Sequence, residues 1–513
     1  MKIKKVGRKN VEILKKKKIY CYKKSLEYLK EIEQTFPELL DSIVGIVDDY
    51  AREWGEFVFG KYLWNVTSTE IFKTLDWKEN VILITDGYVQ ESYGIIKNLF
   101  LDGLDEVYYF ANKDTEIEET YREKYKNEPL KDIIVFRSGP QNKAYVKGMD
   151  FSDNARALFE YMLDNGFQKR YELVWIVKNP DLYKNNKRYR DVTFVSWDWP
   201  LSERQYERDE YFRVLCQAKY IFFTDAYGFA RNCRSDQIRV QLWHGCGFKT
   251  RVNFARCEKR YEYTTVISEL YAKIHADIYG LRDDQMLITG YAKEDWLFHP
   301  IDKSYLHKLG MGTADKYIFW LPTFRTASNQ LALLNEYHKD TQVGLPIVET
   351  YSELDELNRL LSDLDIILVI KLHPFQKRDT INCKEMSNVV LIENEMLADL
   401  DIHINQLLGY ADALISDYSS AAVDYLLLNR QIAFTLDDVE EYGEGRGFIF
   451  ENIKDWLPGN EIYNFDDLKR YIVNVAHNED ACKERRERIK GLMHSYSDDR
   501  GCERIVEALG IKC

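Results

Sequence analysis

Four stretches of the chain place groups able to handle protons or phosphate directly after short apolar runs. In the first, Val240-Gln241-Leu242-Trp243 leads into His244, with glycine at 245 and 247. Imidazole has an ordinary pKa of about 6.5, which suits it to take a proton from a hydroxyl near neutral pH. Gly245 and Gly247 let the backbone turn sharply and come close to a ligand. A structural histidine capping a turn is the plain alternative. In the second, Tyr317–Leu321 stops at Pro322, and Thr323 and Arg325 follow. A hydroxyl and a planar guanidinium fork fit phosphate, although Thr-x-Arg alone is equally well an ordinary loop. In the third, Ile366–Ile370 emerges into Lys371, Leu372, His373 and Pro374. Side chains two apart in extended chain share a face, so Lys371 and His373 can converge on an anion. The plain reading is a solvated strand end. In the fourth, Ala413–Ser416 runs through Asp417-Tyr418 into Ser419-Ser420-Ala421-Ala422. Two hydroxyls and the unbonded N–H groups of a first helical turn make an anion site, unless Ser419 is only an N-cap. Strand, acid, double serine and small-residue helix occur in order, which makes this stretch the most specific of the four.

Such groups need strand ends to present them. Apolar runs of four to six residues alternate with helix-length amphipathic segments from residue 81 onward: Val81–Thr85, Val107–Phe110, Asp132–Phe136, Leu173–Val177, Val192–Trp197, Tyr220–Asp225, Val240–Trp243 and Thr265–Ser268. A second series is Met286–Thr289, Tyr317–Leu321, Ile366–Leu372, Val389–Ile392, Ala413–Ser416 and Ile432–Thr435. Continuous apolar strands separated by helices predict an α/β fold with parallel sheets covered on both faces, whose ligands lie outside the carboxyl ends of the strands. Residues 20–75 read as helical, with Leu26, Leu29, Ile32 and Phe36 at three- and four-residue steps. The expected division is a basic helical segment over 1–75, one doubly wound unit over 76–275 and another over 276–513.

Length and composition agree. The 513 residues exceed one core, and 45% hydrophobic with 30% charged residues excludes disorder for the bulk of the chain. No apolar run approaches the roughly 20 residues of a spanning helix, and Met-Lys-Ile-Lys-Lys lacks the apolar stretch of a secretory signal. Nine scattered cysteines, never spaced Cys-x-x-Cys, point to a reduced, cytosolic chain. There is no Walker loop, Gly-x-Gly-x-x-Gly or His-Glu-x-x-His, so nucleotide hydrolysis, dinucleotide chemistry and a metal site are disfavoured, and no cofactor is expected. Asp437-Asp438 reads as surface or loop capping, and the other seven histidines as ordinary. Net charge is −13, which argues against nucleic acid as a partner. Residues 1–24 nevertheless hold eleven Lys/Arg and one acid, Glu12. Interleaved with Ile3, Val6, Val11, Ile13, Leu14, Ile19 and Tyr20, this segment suits an anionic membrane surface, the alternative being a solvated tail.

Taken in order, Trp243-His244-Gly245, Pro322-Thr323-Phe324-Arg325, His373-Pro374 and Ser416-Asp417-Tyr418-Ser419-Ser420 resemble the CDP-glycerol glycerophosphotransferase family. Asp424, Asn429-Arg430 and Arg446-Gly447-Phe448 continue the likeness, as do Asp153-Asn154-Ala155-Arg156-Ala157-Leu158 and Thr289-Gly290-Tyr291. These are the teichoic acid primases and polymerases and related capsule enzymes of bacteria. The resemblance runs from about Asp132 to about Phe450. It implies a GT-B-like architecture of two Rossmann-like domains facing a cleft, and transfer of a polyol phosphate, most simply glycerol phosphate, from a CDP-polyol to a lipid-linked or polymeric hydroxyl, releasing CMP. By that likeness His244 is the base, and His373, Asp417, Thr323, Arg325, Lys371, Ser419, Ser420 and Arg446 belong to the donor side, with Asp417 orienting His373 or capping its turn. The enzyme would work in the cytoplasm at the inner face of the membrane. Cys246-Gly247 stands where the family usually has Thr-Pro, Lys371 where Arg is common, Gln431 where Pro often stands and Ser416 where Thr is usual; these departures bear on donor identity more than on reaction class. A nucleotide-sugar glycosyltransferase or epimerase on the same fold is the nearest alternative, and a non-catalytic polymer- or membrane-binding protein is the alternative of another class.

Overall fold

Each of the fourteen expected strands is a strand within two residues at either end. The computed structural model describes residues 1–49, 54–87, 89–139, 147–224, 234–249, 261–322, 342–371, 386–445 and 447–513. The second sheet comprises β8 (Lys131–Arg137), β9 (Glu172–Val177), β10 (Val192–Ser196), β11 (Ala218–Phe223), β12 (Ile238–Gln241), β13 (Tyr263–Val266) and β14 (Met286–Ile288), all parallel in the order 10-9-8-11-12-13-14. The third comprises β15 (Lys316–Trp320), β16 (Ile366–Lys371), β17 (Val389–Ile392), β18 (Ala413–Ser416), β19 (Gln431–Thr435) and β20 (Asn460–Ile462), parallel in the order 17-16-15-18-19-20. Both orders reverse direction once, between β8 and β11 and between β15 and β18. There the connections leave on opposite sides and open a crevice at the carboxyl ends. The central strands are largely apolar because helices cover both faces; Ile133–Phe136 and Ile366–Ile370 are buried residue by residue.

The amino-terminal segment differs from the expected helical one. Residues 2–109 build a sheet of their own from β1 (Lys2–Lys5), β2 (Lys18–Tyr22), β3 (Ile43–Val47), β4 (Gly55–Phe59), β5 (Tyr62–Thr67), β6 (Asn80–Ile84) and β7 (Glu106–Tyr109), ordered 1-7-6-2-3-5-4. Only β4 runs antiparallel to its neighbour. The helical reading holds for Leu26–Thr35, capped by Ser25, but not for its surroundings. Short strands between lysine runs carry too few residues for a period of two to show, and they declare themselves only by pairing. The basic segment therefore serves a protein core: Val6, Val11, Leu14, Ile19 and Cys21 are buried in it. Lys4 pairs with Glu106, and Lys5 with Glu116 at 3.0 Å.

The expected boundary at 275/276 also shifts, because β14 is the last strand of the second sheet. The chain then returns: the helix Gly501–Ala508 buries Cys502, Ile505 and Val506 against Ile134, Phe136 and Leu173 of that sheet. Asp295 accepts the N–H groups of Gly501 at 2.8 Å and Cys502 at 2.9 Å, fixing the helix start.

Candidate active site

The site forms where the carboxyl end of β12 meets that of β18. After β12, Trp243 adopts φ +60°, which a bulky residue holds only when its surroundings impose it. The constraint is visible. Asn154 Nδ2 donates to the carbonyls of Leu242 (3.1 Å) and Trp243 (3.0 Å), and the Trp243 N–H donates to Gln241 Oε1 at 3.0 Å. The indole packs edge-on against Tyr279 with ring centres 4.7 Å apart. This turn carries His244, half-buried, directly after the strand end.

Gly245 has φ +144°, and a Cβ there would lie 2.7 Å from Ser420 Oγ and 2.8 Å from Ser420 Cβ. A Cβ on Gly247 would lie 3.3 Å from the Ser420 nitrogen. The close approach these glycines permit is thus to the serine helix of the third sheet, 175 positions away in sequence. Beyond them, Phe248 packs against Phe434 with ring centres 6.0 Å apart and accepts the Ile449 N–H at 2.9 Å, which stitches the two units together.

On the opposite side, β18 is followed by Asp417, fully buried, and then by the helix Ser420–Tyr425, continued by a 3-10 turn over Leu426–Leu428. Ser419 is its N-cap, accepting the Ala421 N–H at 3.4 Å, so its hydroxyl serves the helix. Asp438, expected at the surface, is buried and accepts the Tyr418 hydroxyl at 3.3 Å. Lys371, at the end of β16, lines a cleft of 450 Å³ between the two units, shared with Asp153, Arg156, Asp401 and His403. Burial pulls the Lys371 amine down to about 8, with Glu395 pulling the other way. Thr323, Arg325, His373 and Arg446 lie outside the described residues.

Four residues that the chemistry-first reading did not single out join this site. Asn154 holds the turn before His244, and His403 lines the cleft with Nδ1 accepting the Asn405 N–H at 3.2 Å. Lys293 and Asp424, both buried, face each other at 3.1 Å. None directly follows a strand, so the strand-end rule does not find them; Asn154 and Asp424 entered only through the family resemblance. Among the described residues no group of three or more His, Cys, Asp or Glu is arranged to hold a metal ion.

The profile of the CDP-glycerol:poly(glycerophosphate) glycerophosphotransferases matches residues 131–510, which contain both crevices. The chain belongs to that family. The family is described as transferring glycerophosphate from CDP-glycerol to poly(glycerophosphate). Among curated relatives, this glycerophosphotransferase-family chain is 24% identical over 396 residues to the teichoic acid ribitol-phosphate polymerase TarK of Staphylococcus aureus, covering 72% of this chain and 68% of the relative. It is 28% identical over 273 residues to the teichoic acid glycerol-phosphate primase of Bacillus subtilis, covering 50% and 64%. Of two other teichoic acid poly(ribitol-phosphate) polymerases it spans about half the length, 46% and 52%. A solved structure of the wall teichoic acid polymerase TagF aligns over 82% of this chain and 97% of its own at 20% identity and TM-score 0.60, which shows the GT-B-like fold. The amino-terminal sheet precedes the family match.

Proposed function

We propose that this family member transfers glycerol phosphate from CDP-glycerol to a hydroxyl of a lipid-linked or polymeric acceptor, in teichoic acid or capsule synthesis. His244 takes the acceptor proton as the acceptor oxygen attacks the β-phosphorus; the new P–O bond forms as the bond to CMP breaks. Charge developing on the phosphoryl oxygens and on CMP is met by Ser420, Ser419 and the N–H groups of their helix, by Lys371, and by Thr323, Arg325, His373 and Arg446 of the same motifs. Asp417 supports this side by orienting His373 or by capping the turn. The observation that carries the reading is the packing of the His244 turn onto Ser420, through Gly245, where a Cβ would clash, and Gly247, where one would fit only tightly. This supports the reading of His244 as proton acceptor and of the Ser420 turn as anion site, since attack on a bound pyrophosphate requires the two to be neighbours. Incubation with CDP-glycerol, CDP-ribitol and UDP-sugars tests it: CMP release with CDP-glycerol and an acceptor is expected. CMP from CDP-ribitol alone would reassign the polyol, and UDP release would replace the reading by a nucleotide-sugar enzyme.

Membrane contact belongs to the same proposal, in an altered form. No helix among the described residues is long and apolar enough to cross a membrane. The apolar residues of 1–24 are largely buried in protein, which leaves charge as the attractive force. Lys15, Lys16 and Lys18 stand exposed between the helix Arg8–Leu14 and β2. Each lysine near an anionic leaflet contributes on the order of 1 kcal/mol, screened within about one Debye length. Deleting residues 1–24 would remove β1 and the central strand β2, so charge substitution is the sound probe. Lys15→Gln, Lys16→Gln and Lys18→Gln together are expected to lower binding to phosphatidylserine vesicles and leave activity on a short soluble acceptor intact. Vesicle binding unchanged by the substitutions and by salt would remove this surface from the proposal.

A further inference from the structure

Lys293 sits in the segment that carries the chain from the second sheet toward the third, and it is 6% exposed. Its Nζ donates to the main-chain carbonyl of His244 at 2.7 Å and lies 3.1 Å from Asp424 Oδ2 and 3.7 Å from Asp153 Oδ1. Its own N–H donates to Asn154 Oδ1 at 3.0 Å, the amide whose other end holds the carbonyls of Leu242 and Trp243. Asp424 lies one turn beyond Ser420 in the serine helix. One ammonium therefore joins the turn bearing His244 to the helix bearing Ser420, from inside the protein.

The charges around it favour that ammonium. Burial alone would pull the Lys293 amine down, but the carboxylates of Asp424 and Asp153 outweigh it and hold it above its ordinary range. The neighbours contribute no rival cation. Burial pulls the His494 imidazole down to about 4, and the ring hydrogen-bonds the Val423 carbonyl at 2.9 Å. Burial and the Asp424 carboxylate push the Glu294 carboxyl well above its ordinary range, with Lys293 pulling the other way. His275 and Tyr291 face the Cys246 thiol, at 3.7 and 3.0 Å, and Tyr271 donates to the Gly247 carbonyl at 3.3 Å. A lysine taken out of water is costly unless paired and hydrogen-bonded, and this one is both.

We infer that Lys293 is a positioning residue for the transfer reaction: a buried strut, shared by Asp424 and the His244 carbonyl, that sets the distance between the base and the donor-phosphate helix. The inference rests on the proposed role of His244 as base. A shift of about 1 Å in a reacting group costs about 10²-fold in rate, so loss of the strut should act on turnover more than on donor binding.

The test compares Lys293→Met, Lys293→Arg and the double variant Lys293→Met/Asp424→Asn in the full chain with CDP-glycerol and acceptor. Lys293→Met is expected to lower kcat by about 10²-fold with donor KM little changed. Its low-pH limb of kcat should move to higher pH, because removing a nearby cation makes an imidazole easier to protonate. Lys293→Arg, whose fork can reach both oxygens, should recover most of the rate. Lys293→Met alone leaves a buried carboxylate unpaired and can unfold the chain; the double variant leaves none, and should melt near wild type and still lose turnover. In a His244→Ala background, Lys293→Met should add no further loss. A folded double variant with wild-type kcat, a rise in KM with kcat unchanged, or losses that add fully in the His244→Ala background would each overturn the inference. If His244→Ala itself retains turnover, the assignment of the base fails first. If His244→Ala is inactive and the Lys293 variants are normal, only the strut fails.

Discussion

His244→Ala is expected to lower transfer by about 10²–10⁴-fold, the usual cost of losing a general base, while CDP-glycerol affinity stays near wild type. The separation follows from the site: the imidazole stands on the β12 side, and the proposed phosphate contacts stand on the strand ends of the third sheet. The variant should also lose the low-pH limb of the rate profile. The high-pH limb has another origin in this reading. Burial holds Lys371 at about 8, so its positive charge, and with it donor affinity, should fall as pH rises through about 8. Lys371→Arg should abolish that fall, since guanidinium stays protonated. The sign for stability is opposite: between about 8 and the ordinary lysine range the unfolded chain binds the extra proton, so this group makes stability rise with pH there. Steady-state rates from pH 5.5 to 9.5 with calorimetry of donor binding decide both points. Near-normal turnover of His244→Ala across that range would exclude it as the base.

Gly245→Ala is expected to be nearly as damaging by a different route. Its φ of +144° is strained for any side chain, and the new Cβ would stand 2.7 Å from Ser420 Oγ and 2.8 Å from Ser420 Cβ. Backbone strain of this kind costs about 1–3 kcal/mol, and the clash can be relieved only by moving the His244 turn away from the serine helix. Turnover and donor affinity should therefore fall together, unlike in His244→Ala, and the melting temperature should drop. Gly245→Ala with Ser420→Gly opens the space again and should regain part of the lost stability. A Gly245→Ala enzyme with wild-type melting and donor affinity would show that the two turns do not depend on their contact.

Apart from the edge strand β20, the strands of the second and third sheets were legible because burial on both faces favours apolar runs, as in Ile133–Phe136 and Ile366–Ile370. Of the amino-terminal sheet only β6 and β7 were legible. Lys2–Lys5 and Lys18–Tyr22 are strands whose lysines mask any apolar run, and Gly55–Phe59 is an edge strand paired through a hairpin. The same lysines made residues 1–24 read as a membrane-facing segment, whereas Val11, Leu14 and Ile19 turn inward to cover β-strands that appear only in three dimensions.

The types of group in the site, and the strand ends that carry them, were determined by sequence alone, because a residue following a buried strand has nowhere to go but the carboxyl-end crevice. His244 and Gly245 after β12, Lys371 at the end of β16, and Ser419 and Ser420 after β18 all follow from that rule. Which of these groups meet was decided by the tertiary structure. The partner of Gly245 is Ser420, and the cation that braces both turns is Lys293, in a segment of short turns that no strand or helix pattern marks. A buried lysine is tolerated only where carboxylates and carbonyls from distant parts of the chain surround it, and that convergence is a property of the folded molecule, not of any local stretch of residues.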